Sequence, residues 1–319
     1  MKRSIQAVAL MAAVSLAASW AAFRCPPAMA QMPKPQSVTG IVINYVEPTD
    51  PAHRAIYDRL RKRQVLEQYK EFMSPLQLKR ALSVALQGCD GQVNAWYSNG
   101  KITYCYEMVA VIENVVAKAN PLPGFKLEDA IVGAFVQILL HETSHAVFDL
   151  LDVPVFGREE DAADALAEFV LLQFGDKVAR RTLTGTAFLW RALELAENRN
   201  RTLEDYSDEH GTHGQRFYNA LCLAYGSDLV QGTKTFSDFI ENNLLPESRR
   251  GQCAKEYRHV QISFERLILP HVDKALMAKV RATEWLKPED GTDLLPPSGP
   301  PDGLPDGLPK PLSSRPRPG

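Results

Sequence analysis

The sequence predicts an α+β fold: a small N-terminal β-sheet that includes a hairpin, followed by a mostly helical body. Three observations carry this. Alternating β-branched and aromatic runs are confined to residues 37–107. Asn99-Gly100, the preferred pair for a tight two-residue turn, sits between two of those runs. From Glu107 to about residue 285 the apolar residues instead recur at helical spacing.

The chain has 319 residues, a formal net charge of -2 and 45% hydrophobic residues. That is enough for one domain with a real core. The near-neutral balance gives no basic footprint for nucleic acid. Residues 1–30 read as a secretory signal peptide: a basic Met1-Lys2-Arg3 start, an apolar run, and Ala28-Met29-Ala30 as a small-residue cleavage site before Gln31. Cleavage would leave a periplasmic or extracellular chain without membrane attachment. An uncleaved anchoring helix is the alternative, because the apolar run is long.

The folded domain is expected over residues 31–285. "SVTGIVINYVEP" (37–48) alternates and reads as a strand. Residues 52–72 place Ile56, Leu60, Val65, Leu66, Tyr69 and Phe72 at helical spacing, with "RLRKR" (59–63) as a solvated face. Residues 82–88 read as a further strand, and 93–107 as the hairpin. A helix then runs from Glu107 to the break at Pro121, Pro123 and Gly124. The next is expected from Leu127 to Leu151, and after Pro154 and Gly157 another from Arg158 to about Phe174. Further helices are expected near 177–197, 214–225, 234–244 and 256–282. Residues 286–319 repeat PDGL and carry too much proline to pack, so they read as a disordered tail.

Four cysteines remain after the leader: Cys89, Cys105, Cys222 and Cys253. An even count in an exported chain points to two disulfides, and four cysteines allow three connectivities. Cys89–Cys105 and Cys222–Cys253 are favoured, because each pair is near in sequence and brackets a unit. The first would staple the hairpin to the preceding strand.

"LLHETSHAVFDLL" contains His141-Glu142-Thr143-Ser144-His145, an H-E-x-x-H spacing. On a helix both histidines face one way and can hold one ion, while Glu142 can reach the attacking water as general base. The apolar flanks would keep such a site dry and strengthen its electrostatics. The bland alternative is two core helices carrying polar decoration, which would leave buried groups to be satisfied at about 1–3 kcal/mol each.

A zinc ion, one per chain, needs a third protein ligand. "GREEDAAD" supplies candidates. Glu159, Glu160 and Asp161 also suit the first turn of a helix, where acids meet the positive dipole end. That does not account for Asp164. Glu160 and Asp164 are spaced i, i+4, so one can bind the ion while the other accepts from a ligating histidine. Glu159 and Asp161 would then be solvated or capping acids.

H-E-x-x-H followed by a helix bearing E-x-x-x-D resembles the gluzincin group of zinc metallopeptidases. That resemblance implies His141, His145 and Glu160 as zinc ligands, Glu142 as base, and Asp164 behind His141. With "NAWY…CYE" ahead and "QRFYNALCLAYG" later, residues 40–260 more closely resemble an uncharacterised family of metallopeptidases known as domain of unknown function 4344. It implies a zincin-like fold and brings no established substrate; the peptidase reading itself implies a peptide or protein substrate.

"SDEHGTHGQRFYN" (207–219) offers His210, His213, Arg216 and Tyr218 as donors to the oxyanion of a scissile carbonyl, with His210 favoured, then Tyr218. The alternative is a polar loop leading into a helix. Trp96 or Tyr97 of the hairpin would either line a cleft for extended substrate or pack the core face. His53, His259 and His271 read as ordinary surface or helix residues. Three functions are compatible with this: a zinc-dependent peptidase, a catalytically inactive zincin scaffold that binds at the cell envelope, and a purely structural protein. Cleavage preference, endo- or exopeptidase action, latency and oligomeric state carry no sequence signature.

Overall fold

The computed structural model describes residues 40–119, 126–197 and 200–286. The leader, the break at 121–124 and the Pro/Gly-rich tail lie outside them. The fold is α+β: a four-stranded mixed sheet and a helical body.

The sheet comprises β1 (Ile41–Tyr45), β2 (Leu82–Gln87), β3 (Ala95–Ser98) and β4 (Lys101–Cys105) in the order β1-β2-β4-β3. β1 and β4 run parallel to the central β2, and β3 runs antiparallel to β4. The β3–β4 hairpin turns at Asn99-Gly100, both with positive φ (48° and 77°), as the tight turn demands. Leu82, Val84, Leu86, Ile102 and Tyr104 are wholly buried.

α1 (Arg54–Lys62) and α2 (Val65–Phe72) lead from β1 to β2, with α2 packed on β1. The sequence predicts one helix over 52–72. The chain breaks it at Gln64, whose φ of 51° is left-handed. The basic run there is also not simply solvated. Arg59 turns inward to an ion pair with Glu113, and Arg61 donates to Tyr57 (2.9 Å). Of the two readings for His53, surface or helix, it is the helical one: it ends a 3-10 turn, buried, with its ring 6.0 Å from Tyr106.

α3 (Tyr106–Lys118) precedes α4 (Leu127–Leu151). α4 is apolar on every side and long enough to cross a membrane, but it is packed round by α3, α5, α6 and the β3–β4 hairpin. Its acidic first turn is clamped by Arg181, which reaches Glu128 at 2.6 Å and Asp129 at 2.7 Å. It ends at Asp152 in the left-handed conformation, just before Pro154.

α5 (Glu159–Leu171) follows, then α6 (Asp176–Glu197), α7 (Leu203–Ser207), α8 (His213–Gln231), α9 (Asp238–Glu241), α10 (Glu247–Leu267) and α11 (Lys274–Ala282). α8 begins in a capping box between Thr212 and Gln215. The helix expected over 256–282 starts earlier and is split at Pro270, where a short 3-10 turn separates α10 from α11. Both favoured cysteine pairs are bridged. Cys89–Cys105 ties the turn after β2 to the end of β4, and Cys222–Cys253 ties α8 to α10.

α4 and α6 cross backbone to backbone at Gly133 and Gly185. A Cβ on Gly185 would overlap the Asp129 carbonyl oxygen. Gly185→Ala is therefore expected to cost about 3 kcal/mol. Calorimetry should show a Tm drop of roughly 6–12 °C. An unchanged Tm would mean that the two helices separate freely.

Candidate metal centre

Two facing helices and one loop build the site. α4 presents His141 and His145 one turn apart, both nearly fully buried. α5 presents Glu160 and Asp164 one turn apart on the face that packs against α4. The loop between α7 and α8 brings in His210.

The donor atoms converge on one oxygen. His141 Nε2 lies 3.0 Å, His145 Nε2 3.1 Å and His210 Nε2 3.0 Å from Glu160 Oε2. His141 Nε2 and His145 Nε2 are 3.2 Å apart. Donor atoms of His141, Glu160 and His210 all fall within 4.8 Å of one another.

The other nitrogen of each ring faces a carboxylate. His141 Nδ1 donates to Asp164 Oδ1 (2.8 Å), His145 Nδ1 to Glu159 Oε1 (2.7 Å), and His210 Nδ1 lies 3.3 Å from Asp208 Oδ1. Glu159 thus holds a histidine, where the sequence suggests only a solvated or capping acid. Asp161 does remain outside, paired with Arg158 at 2.7 Å.

Asp164 is itself held from behind. Arg216, buried on α8, donates Nε to Oδ2 (2.7 Å) and Nη2 to Oδ1 (2.6 Å), and lies 3.7 Å over the Trp190 ring. Gln137 Nε2 adds a bond of 2.9 Å to Oδ1. Thr143, inside the motif, bonds Tyr69 at 2.7 Å and so ties α4 to α2.

These contacts set the charges. Burial alone would raise Asp164, but Arg216 and His141 outweigh it and hold the carboxyl well below its usual range. Burial likewise opposes ionisation of Glu160, and the three imidazoles reverse that. Burial would lower His141; Asp164 and Glu160 push it up instead, to about 10. Glu142 is 7% exposed, and its burial raises it above an ordinary glutamate, which suits a general base.

The remaining candidates are placed as follows. Tyr218 is half-exposed, packs against Phe217 with ring centroids 5.0 Å apart, and makes no hydrogen bond to the cluster among the described residues. His213 stacks on Trp190, and burial followed by the neighbouring Arg216 lowers it to about 4. Tyr97 is buried, with its hydroxyl on Asp149 of α4, and Trp96 is half-buried beside it.

Glu168 continues the stripe of Glu160 and Asp164 inward and is 2% exposed. Burial, and then the charge of Asp164, raise its carboxyl well above the usual range. Above the unfolded value, the folded chain therefore holds a proton that the unfolded chain has lost, and stability falls as pH rises. Each unit of such a shift costs about 1.4 kcal/mol once pH exceeds both values. Glu168→Gln is expected to raise Tm at pH 8 and to change it little at pH 4. An equal gain at both would assign the effect to packing.

The family whose sequence model matches residues 45–268 is described as putative metallopeptidase, the domain of unknown function 4344. The chain belongs to this family. No curated protein and no solved structure matches. Membership in this metallopeptidase family supports a metal ion and peptide or protein substrates in general. The matched span contains every residue of the cluster.

Proposed function

We propose that this metallopeptidase is a gluzincin-like, zinc-dependent enzyme of the periplasm or cell exterior. The observation that carries it is the convergence of imidazole nitrogens on Glu160 Oε2, with Glu142 one residue beyond the first histidine. The donors fit zinc: imidazoles and one carboxylate, each ring held by an outer carboxylate, in a buried setting. His141, His145 and Glu160 would hold the ion. When bound, zinc supplies a Lewis acid that acidifies water and polarises a carbonyl.

The chain's own groups do the rest. Asp164, fixed by Arg216 and Gln137, keeps His141 in one tautomer with Nε2 toward the centre. Glu142 takes the proton of the attacking water and passes it to the departing amine, and its raised affinity for protons aids the first step. β3 is an edge strand that packs against α4, so an extended peptide adding to it would lie along the helix that carries the motif. Two disulfides suit an oxidising compartment.

Elemental mass spectrometry of the purified protein tests the reading. About one zinc per wild-type chain is expected, and little in His145→Ala. No zinc in either, after zinc add-back without chelator, would leave HETSH as polar decoration on a core helix.

A further inference from the structure

We infer that His210 is a displaceable fourth ligand, which closes the metal centre at rest. The inference rests on the metal reading above and adds latency to it.

Placement is the first observation. His210 Nε2 reaches the same Glu160 oxygen as the two motif histidines, at a matching distance of 3.0 Å. Its ring lies nearly parallel to that of His141, with centroids 5.9 Å apart and planes inclined by 27°. A group there sits within the ligand set rather than beside it.

The second observation is its outer partner. Asp208 Oδ1 accepts the His210 backbone N–H (2.8 Å) and faces its Nδ1 at 3.3 Å. Asp164 and Glu159 likewise face Nδ1 of His141 and His145. A carboxylate on Nδ1 fixes the tautomer that leaves Nε2 as an electron-pair donor. All three rings share this arrangement.

The third is the support. His141 and His145 are fixed in a helix of 25 residues. His210 stands on a short loop, before Gly211 and the first turn of α8. Its carbonyl receives one bond from Arg158, at 3.4 Å. On another side the residue walls a polar cavity of about 30 Å³ shared with Arg201 and His213. The loop can therefore move without unwinding a helix.

Three imidazoles and a carboxylate fill a tetrahedral set, the arrangement of closed structural sites, whereas catalytic sites keep one position open. Departure of His210 supplies that position. Peptide docking that displaces residues 208–211, ahead of the Thr212 cap, would switch the centre on.

Co²⁺ titration tests this, with visible absorption and affinity as the readouts. Wild type is expected to bind one Co²⁺ with the intense bands of a four-coordinate centre. His210→Ala should bind it more than about 100-fold more weakly, beyond the roughly 10–100-fold that loss of an outer partner costs. Its bands should weaken as water enters, and free imidazole should restore them. Acetohydroxamate should bind the Co²⁺ form of His210→Ala at least about 10-fold more tightly than wild type. Asp208→Asn, the variant that leaves the ring in place, should keep wild-type bands at reduced affinity; altered bands there would count against the assignment. Circular dichroism confirms folding, and His210→Asn substitutes if the alanine variant does not fold. Wild-type bands and affinity in His210→Ala overturn this inference alone, provided His141→Ala loses the metal. A wild type that binds no Co²⁺ overturns the metal reading and this inference with it.

Discussion

Glu142→Gln is expected to keep the metal and lose turnover by about 10²–10⁴-fold, the usual contribution of a positioned general base. The amide matches the carboxylate in shape, so packing along α4 should persist. What disappears is the ability to take a proton in a buried setting where burial and the neighbouring charges set its basicity. Zinc content and the cleavage rate of whichever peptide the wild type hydrolyses are the two measurements. Equal rates would remove Glu142 from the chemistry. If neither protein cleaves any peptide while both hold zinc, the chain is a binding scaffold that retains its ion.

Arg216→Met is the second large effect. It leaves Asp164 ionised, buried and without its bidentate partner. Breaking a buried pair in this way costs about 3–5 kcal/mol. Thermal unfolding should drop by roughly 6–20 °C. Asp164→Leu in the same chain separates the causes. If stability returns in the double variant, the cost came from the stranded carboxylate. If it falls no further than in Asp164→Leu alone, which already strands the His141 and Gln137 donors, stacking over Trp190 adds nothing; a further drop is the cost of that lost stacking, 3.7 Å from the guanidinium.

What the sequence discloses about this site is what a single helix can encode. His141 and His145 share a face because of their spacing, and so do Glu160 and Asp164. The break at Pro154 to Gly157 shows that a loop separates the two helices. The two disulfide pairings follow from sequence proximity. Contacts made across the fold are not legible in this way. Arg216 is 52 residues from Asp164; the sequence offers it as a donor to an oxyanion, and no local pattern ties it to that carboxylate. The same lack of a local tie holds for Gln137, 27 residues from Asp164. Glu159 satisfies the rule for acids at a helix start, and that rule conceals its bond to His145.

The helix boundaries that differ have local causes of another kind. Gln64 adopts a left-handed conformation that favours glycine, so its residue type gives no warning of a break. Pro270 does give one, but the apolar spacing of 256–282 runs straight through it. The parallel pairing of β1 and β4 with β2 depends on how the connections pass over the sheet, and strand periodicity carries no record of that.

The stripe on α5 has a consequence for how such a chain can change length. Glu160, Asp164 and Glu168 lie one helical turn apart: Glu160 faces all three imidazoles, Asp164 faces His141 alone, and Glu168 faces the core. One residue inserted between Glu160 and Asp164 would swing every later position about 100° round the helix axis. Asp164 would then leave both His141 and Arg216 at once. A residue added between Asp152 and Arg158 would lengthen only the link between α4 and α5 and leave the stripe in phase. Variation in length among related chains should therefore gather in that link, while the spacing within each helix stays invariant.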